Sequence, residues 1–271
     1  MSAAAPARRP VGSANPYLGL APYTEADQHL FFGRDEETEE LLRLVGRDVL
    51  TVVFGVSGLG KTSLLHAGLA PRLRERGMLP ISIRLDHGDP DEAPGLAEQV
   101  RSAINAELTR HAVDGRAPGP SETLWEWAHT VPLWSARQEL LTPVLVFDQF
   151  EEGFARGAPS SAFLAFATEL GDLVEDRLPA PLREAVERGE RTTEGFVPHA
   201  AVRVVLSLRE DYLAHLEDLR DRIPSLANSR FRLLQMRGDR ALEAVLRPGE
   251  GIVSRDVAKE IVRAVADAEA G

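Results

Sequence analysis

Residues 55–62 read Gly-Val-Ser-Gly-Leu-Gly-Lys-Thr, a spacing of glycines, lysine and hydroxyl that can bind a chain of phosphates. Glycines let backbone N–H groups approach phosphate oxygens, and the start of a following helix adds its positive dipole end. Lys61 would contact the β- and γ-phosphates, and the Thr62 hydroxyl would be a ligand of Mg²⁺. The nucleotide-binding residues predicted from this segment are Gly55, Ser57, Gly58, Leu59, Gly60, Lys61, Thr62 and Ser63.

A group of acidic residues follows the apolar run at 144–147. We expect Asp148 to lie at the end of a buried strand parallel to the one before the glycines and to hold Mg²⁺ through water or through Thr62. Either Glu151 or Glu152 would polarise the water that attacks the γ-phosphate. The sequence favours Glu152 modestly, and the other glutamate would be a carboxylate at a helix start.

Arg209 ends a further apolar run, VRVVLSLR. If that strand lies between the other two, Arg209 would face the γ-phosphate and sense its hydrolysis. A surface ion pair with Glu210 or Asp211 is the alternative explanation for this arginine.

The sequence FFGR at 31–34 precedes the first predicted helix. Phe31 and Phe32 could pack beside an adenine, and with Gly33 next to them, Arg34 could approach a phosphate. A hydrophobic staple at the helix start would explain the two phenylalanines equally well.

Composition narrows the class of protein. The chain has 271 residues, 44% of them hydrophobic, which is enough for a sizeable core. The absence of a long apolar segment and of a signal peptide predicts a cytoplasmic protein without a membrane partner. A formal charge of −11 makes nucleic acid an improbable partner. There is no cysteine, the histidines share no metal-binding spacing, and Trp125, Trp127 and Trp134 are predicted to pack in the core.

Alternating strand and helix patterns predict an α/β fold, a three-layer sandwich with a parallel sheet between helices. The predicted strands are 50–54, 81–85, 144–148, 202–208 and 230–234. The predicted helices are 35–46, 61–76, 160–177, 210–218, 238–246 and 252–270, with further helices within 93–112 and within 121–141. We expect a disordered tail at 1–15, a nucleotide-binding domain at 16–250, and the beginning of a helical lid, truncated by the end of the chain, at 251–271.

ATP is the expected nucleotide because the N-K-x-D sequence that reads guanine is missing, and Lys61 and Lys259 are the only lysines. An acidic cluster after a separate strand favours an ATPase with an additional strand in its sheet over a simple kinase. A nucleotide-binding scaffold with negligible hydrolysis and an AAA-type remodelling ATPase are the alternatives.

Four stretches together resemble the bacterial STAND-class P-loop NTPases, specifically the novel STAND or NACHT-like group, over about residues 16–250. They are NPYLGLAPYTEADQHLFFGRDEETEELL, GVSGLGKTSLLHAGLAPRL, VLVFDQFEEGF and LSLREDYLAHL. The resemblance implies an ATP/ADP-dependent, Mg²⁺-dependent switch that self-associates in its ATP state. A C-terminal sensor region would detect a trigger, in signalling or antiphage defence.

The resemblance also assigns residue roles. They fall on Lys61 and Thr62 of the phosphate loop, Asp148, Glu151 and Glu152 of the acidic motif, Arg209 as first sensor, and Arg34 in the entry motif. Pro248 would stand for the nucleotide-facing proline of a lid, although it is explained more simply as a proline that ends a helix.

Overall fold

A computed structural model describes residues 16–86, 94–154 and 159–270 of the chain, with side chains as far as residue 266. Five parallel strands form a sheet in the order β2-β4-β5-β1-β6, and β3 pairs antiparallel with the beginning of β4. The strands are β1 (Leu50–Gly55), β2 (Met78–Ile83), β3 (Leu133–Trp134), β4 (Leu140–Phe147), β5 (Arg203–Arg209) and β6 (Arg230–Arg232). The predicted α/β class with a parallel sheet is confirmed, whereas the predicted tail at 1–15 lies outside the described residues.

Helices follow most of the strands. They are α1 (Asp35–Arg47), α2 (Lys61–Ser63), α3 (Ala70–Glu75), α4 (Leu96–Arg110), α5 (Leu124–Thr130), α6 (Ser161–Val174), α7 (Ala180–Glu187), α8 (Leu213–Glu217), α9 (Gly238–Leu246) and α10 (Arg255–Ala270). A π-helical segment, Leu64–Leu69, joins α2 to α3, so one continuous helix follows the loop after β1. Short 3₁₀ helices occupy Glu25–Leu30, Phe150–Gly153, Glu210–Tyr212 and Pro224–Ala227.

The sheet lies between two apolar clusters, which gives the three-layer arrangement. Successive residues of β5 point to opposite faces, so Val204 belongs to one cluster and Val205 to the other. Leu41 of α1 and Leu65 of the π-helical segment pack on the Val205 face, and Ile104 of α4 packs on the Val204 face. The loop after β1 is therefore supported by packed layers on both sides of its strand.

The helix predicted within 121–141 is present, but it is short. Helix α5 ends at Thr130, β3 follows, and β4 begins at Leu140. Pro132 explains the stop, because a proline disfavours the helical conformation of the residue before it; Val131 is extended, with φ −111° and ψ 102°.

Strand β2 lies further towards the N-terminus than the predicted 81–85 and contains Pro80. This proline is tolerated because β2 is an edge strand that pairs only with β4 among the described residues.

Register brings the carboxyl ends of β1, β4 and β5 together. Gly55 of β1 lies opposite Arg209 of β5, and Phe147 of β4 lies opposite Leu206 of β5. Strand β5 thus lies between β1 and β4, as expected for an additional-strand sheet, and Asp148 follows β4 at the same edge as the loop after β1.

Candidate functional site

The phosphate loop (residues 55–62) has a packed beginning and an open tip. Gly58 and Gly60 have φ values of +85° and +88°, in the left-handed region that glycine tolerates best. Apart from the glycine itself and its two chain neighbours, no described residue has a heavy atom within 4 Å of a Cβ built at either position. A Cβ on Gly55, by contrast, would lie 2.5 Å from the carbonyl oxygen of Leu233. The exposed Ser57 completes a tip with room for a ligand.

Lys61 folds back over the beginning of the loop. Its Nζ donates hydrogen bonds to the carbonyl oxygens of Gly55 at 2.9 Å and Val56 at 3.1 Å. Burial lowers the pKa of Lys61, although the carboxylates of Glu151 and Asp148 oppose this shift. The ammonium group therefore lies at the loop, within the electrostatic influence of both predicted acids.

The side chains of Thr62, Asp148 and Ser207 form a hydrogen-bonded chain across three elements. The hydroxyl of Thr62 donates to Oδ2 of Asp148 at 2.7 Å, and the hydroxyl of Ser207 donates to Oδ1 at 2.9 Å. The backbone N–H of Gln149 donates to the same Oδ1 at 3.0 Å. Because Asp148 is only 8% exposed and bonded through both oxygens, its carboxylate is fixed beside the start of helix α2.

Ser207 was not among the predicted site residues. It is fully buried in β5, between Leu206 and Leu208. The available signal was a single hydroxyl residue within an otherwise apolar strand placed between two site-bearing strands. A buried polar side chain needs a partner, and Asp148 is that partner.

Glu151 and Glu152 occupy different environments. Glu151 is 8% exposed, and its Oε2 has no hydrogen-bond partner in the part of the chain that the structure describes. Burial raises the pKa of Glu151, while backbone N–H groups and the Lys61 ammonium act in the opposite direction. Glu152 is 36% exposed and accepts a hydrogen bond from Arg84 at 2.7 Å.

Arg209 lies at the site edge but its guanidinium is engaged elsewhere. It donates to both carboxylate oxygens of Asp211, at 3.1 and 2.6 Å, and lies 5.6 Å from the centre of the Tyr212 ring. The ion pair that the sequence offered as an alternative is present, with Asp211 as the partner. Arg209 is 44% exposed, so this pair leaves it free to rotate towards a ligand.

The entry residues at 31–34 pack between the π-helical segment Leu64–Leu69 and helix α9. The ring of Phe31 belongs to the apolar cluster around α1. The ring of Phe32 lies under the guanidinium of Arg247, 5.0 Å from its central carbon. Arg34 is 5% exposed and donates to the carbonyl oxygens of Leu234 and of Leu59 in the phosphate loop.

Two further predicted residues also have structural contacts. Gly33 has φ +83°, and a Cβ there would lie 2.5 Å from the carbonyl oxygen of Arg240 in α9. The hydroxyl of Ser63 accepts a hydrogen bond from the backbone N–H of Tyr23 at 3.1 Å. Pro248 lies in the turn between α9 and α10. The structure thus gathers the loop, Asp148, Glu151 and Ser207 at one edge, with the entry residues on the side towards α9.

A family comparison agrees with this arrangement. Residues 16–270 match the family described as Novel STAND NTPase 1. The chain belongs to this family. The resemblance seen in the four sequence stretches is thereby confirmed, and the family is one of nucleoside-triphosphate hydrolases.

Solved structures are similar in fold. The Walker-type ATPase PABY2304 of Pyrococcus abyssi has 15% identity and a TM-score of 0.54, covering 90% of this chain and 66% of that one. The ORC1 protein of Aeropyrum pernix, solved in complex with DNA, has 13% identity and a TM-score of 0.49, covering 88% and 56%. Cdc6p of Pyrobaculum aerophilum has 16% identity and a TM-score of 0.48, covering 84% and 54%.

The chain therefore spans less than two thirds of the length of these three proteins. No curated protein matches it. Among the helices of the described residues, none has the length and apolar character needed to cross a membrane.

Proposed function

We propose that the chain binds Mg-ATP at the phosphate loop and hydrolyses it slowly, as the switch module of a signalling protein. The observation that carries this proposal is the fixed chain of Thr62, Asp148 and Ser207 beside the Lys61 ammonium. Lys61 supplies a cation for phosphate, and Thr62 and Asp148 supply two oxygen donors at the same edge of the sheet. Family membership supports the hydrolase class.

The donor set suits Mg²⁺. This ion prefers oxygen ligands, and the Thr62 hydroxyl and the Asp148 carboxylate are both oxygen donors that already contact each other. Glu151 adds a buried carboxylate oxygen without a hydrogen-bond partner among the described residues. Thr62 and Asp148 would hold the ion, and Mg²⁺, when bound, supplies charge neutralisation on the phosphate oxygens.

Phosphate binding would use the open tip of the loop. The glycines at 58 and 60 leave their backbone N–H groups accessible, and the ammonium of Lys61 can exchange a loop carbonyl for a phosphate oxygen, a stronger acceptor. Rotation of the exposed Arg209 away from Asp211 would bring a second cation towards the γ-phosphate. Ser57, Leu59 and the entry residues Phe32, Gly33 and Arg34 complete the proposed nucleotide site.

Glu151 is the better general base of the two glutamates. Its carboxylate is buried close to Lys61 and Asp148, and burial makes it more basic than an ordinary glutamate. The carboxylate of Glu152 is held by Arg84 at the surface. We therefore assign activation of water to Glu151, and a surface ion pair to Glu152.

ATP is preferred to GTP because the chain lacks the lysine-containing guanine motif. Family membership supports the remaining parts of the proposal. They are the switch, its self-association in the ATP state, a C-terminal sensor, and a cytoplasmic role in signalling or antiphage defence. Hydrolysis in such a module ends the ATP state, so a low rate is sufficient.

Single-turnover hydrolysis of ATP by wild type, Glu151→Gln and Glu152→Gln tests the assignment. Loss of a general base slows the chemical step by about 10²-fold or more, so Glu151→Gln should be slow while still binding ATP. Glu152→Gln is the matched control and should change the rate by less than about threefold. Equal rates in all three proteins would refute the assignment, and ATP binding without turnover by wild type would favour the scaffold alternative.

A further inference from the structure

Arg34 joins two parts of the molecule that are far apart in sequence. Its Nη1 donates to the carbonyl oxygen of Leu234 at 2.9 Å, and its Nη2 donates to that of Leu59 at 3.3 Å. Leu59 lies between the two left-handed glycines of the phosphate loop. Leu234 lies between β6 and α9, so one guanidinium bonds the loop and the segment that leads into α9.

Arg34 is held both at its guanidinium and at its backbone carbonyl. Glu37 accepts a hydrogen bond from Nη1 at 2.6 Å, which orients the planar group. The backbone N–H and the hydroxyl of the buried Thr38 both donate to the carbonyl oxygen of Arg34, at 2.9 and 2.6 Å. With only 5% of Arg34 exposed, its side chain cannot leave without depriving the carbonyl groups of Leu59 and Leu234 of a charged donor.

Helix α9 contacts this region as well as α10. In the described structure, none of its residues is buried. Its contacts include Gly33 packed against the carbonyl of Arg240, an ion pair between Arg240 and Glu36, and a hydrogen bond from the hydroxyl of Tyr17 to the carbonyl of Val245 at 2.6 Å. Gly33 and Glu36 lie beside Arg34 in sequence, so a shift of Arg34 would reach α9 through them.

We propose that Arg34 is a positioning residue that couples the conformation of the phosphate loop to the placement of α9. Its bond to Leu59 is the longest of the three, so it is the one that yields most easily when the loop adjusts to a phosphate. A guanidinium that follows the Leu59 carbonyl changes its bond to Leu234 and hence the start of α9. The nucleotide part of this coupling rests on the proposed function, whereas the mechanical link does not.

Hydrogen exchange of the α9 amides in the nucleotide-free protein tests the link. Arg34→Lys keeps the charge, but a single ammonium cannot reproduce the planar fork that reaches two carbonyls and Glu37. We expect α9 exchange to rise about tenfold in Arg34→Lys, with β5 unchanged. The control is Arg72→Lys, since Arg72 pairs with Asp35 and Glu39 of α1, 3.1 and 3.3 Å away, and is bonded to neither carbonyl.

The change in α9 hydrogen exchange on addition of ADP distinguishes coupling by Arg34 from a purely structural role of Arg34. ADP should slow α9 exchange in wild type and in Arg72→Lys, and this response should be lost in Arg34→Lys at saturating ADP. Unchanged α9 exchange in nucleotide-free Arg34→Lys, or an ADP response equal to that of wild type, would overturn the coupling.

Glu37→Gln is a second variant that tests the same link. If Arg34→Lys does not fold, Glu37→Gln, which removes only the charge that orients Nη1, should raise α9 exchange in the same direction by a smaller factor, and an unchanged rate would overturn the proposal. If wild type binds no ADP, the proposed function fails, and the nucleotide-free comparison still decides the role of Arg34.

Discussion

The substitution Ser207→Ala tests whether the Asp148 carboxylate is fixed by its neighbours. Ser207 is fully buried, and its hydroxyl donates to Oδ1 of Asp148 at 2.9 Å. A hydrogen bond to a charged group contributes about 1.5–3 kcal/mol, so we expect Ser207→Ala to lower the free energy of unfolding by about 2 kcal/mol. For a chain of this size that corresponds to a fall in Tm of roughly 4–8 °C.

Thermal unfolding followed by circular dichroism measures the shift. The control is Ser82→Ala, on the exposed side of edge strand β2, whose hydroxyl contacts His66 at 2.9 Å. That variant should lose less than about 1 kcal/mol because its partner is not a buried carboxylate. Ser207→Ala should also need a higher Mg²⁺ concentration for nucleotide binding. Equal Tm values for the two variants, with an unchanged Mg²⁺ requirement, would refute the positioning of Asp148 by Ser207.

Three further predictions concern Glu151, Gly55 and Asp176. Burial raises the pKa of Glu151, so the proposed base is protonated and the hydrolysis rate falls as pH decreases through that raised pKa; a pH–rate profile matching that of an unperturbed glutamate would contradict this. Gly55→Ala places a Cβ 2.5 Å from the carbonyl oxygen of Leu233 and should abolish ATP binding in a filter assay. The control is Gly46→Ala on α1, where the added Cβ meets open space. This variant should bind ATP normally and gain up to about 1 kcal/mol in free energy of unfolding. Burial would raise the pKa of Asp176, but hydrogen bonds from His129, His199 and Trp125 outweigh burial and lower that pKa. The Asp176 carboxylate therefore stabilises the fold at pH values above its unfolded pKa, and this contribution is lost as pH falls through the folded pKa. Asp176→Asn should flatten the acid limb of a Tm–pH curve.

The sequence was most informative where local chemistry permits few solutions. Glycines at 58 and 60 are predicted to let the backbone approach phosphate oxygens, and both residues have the left-handed backbone that glycine tolerates best. The apolar runs before Gly55 and Asp148 predict buried parallel strands, and β1 and β4 are such strands. These features depend on residues close together in sequence, so they can be derived without a structure.

Features that depend on distant contacts were harder to predict. The sequence placed a helix only within 121–141, because the end of α5 depends on Pro132 and on the strand pairing of Trp134 with Leu140. The contrast between Glu151 and Glu152 depends on Arg84, which directly follows strand β2. The role of Arg34 depends on Leu234, 200 positions away. None of these partners can be chosen from local pattern alone.

Equilibrium binding of Mg-ATP to wild type and Lys61→Ala, measured by calorimetry, tests the central claim most directly. The Lys61 ammonium is bonded to the carbonyl oxygens of Gly55 and Val56 at the beginning of the phosphate loop, and charge-assisted hydrogen bonds to phosphate are among the strongest in proteins. We predict that wild type binds and that Lys61→Ala loses at least about tenfold in affinity with its fold intact. Absence of binding to wild type at millimolar nucleotide, or equal affinity in the two proteins, would contradict the assignment of this loop as the nucleotide site.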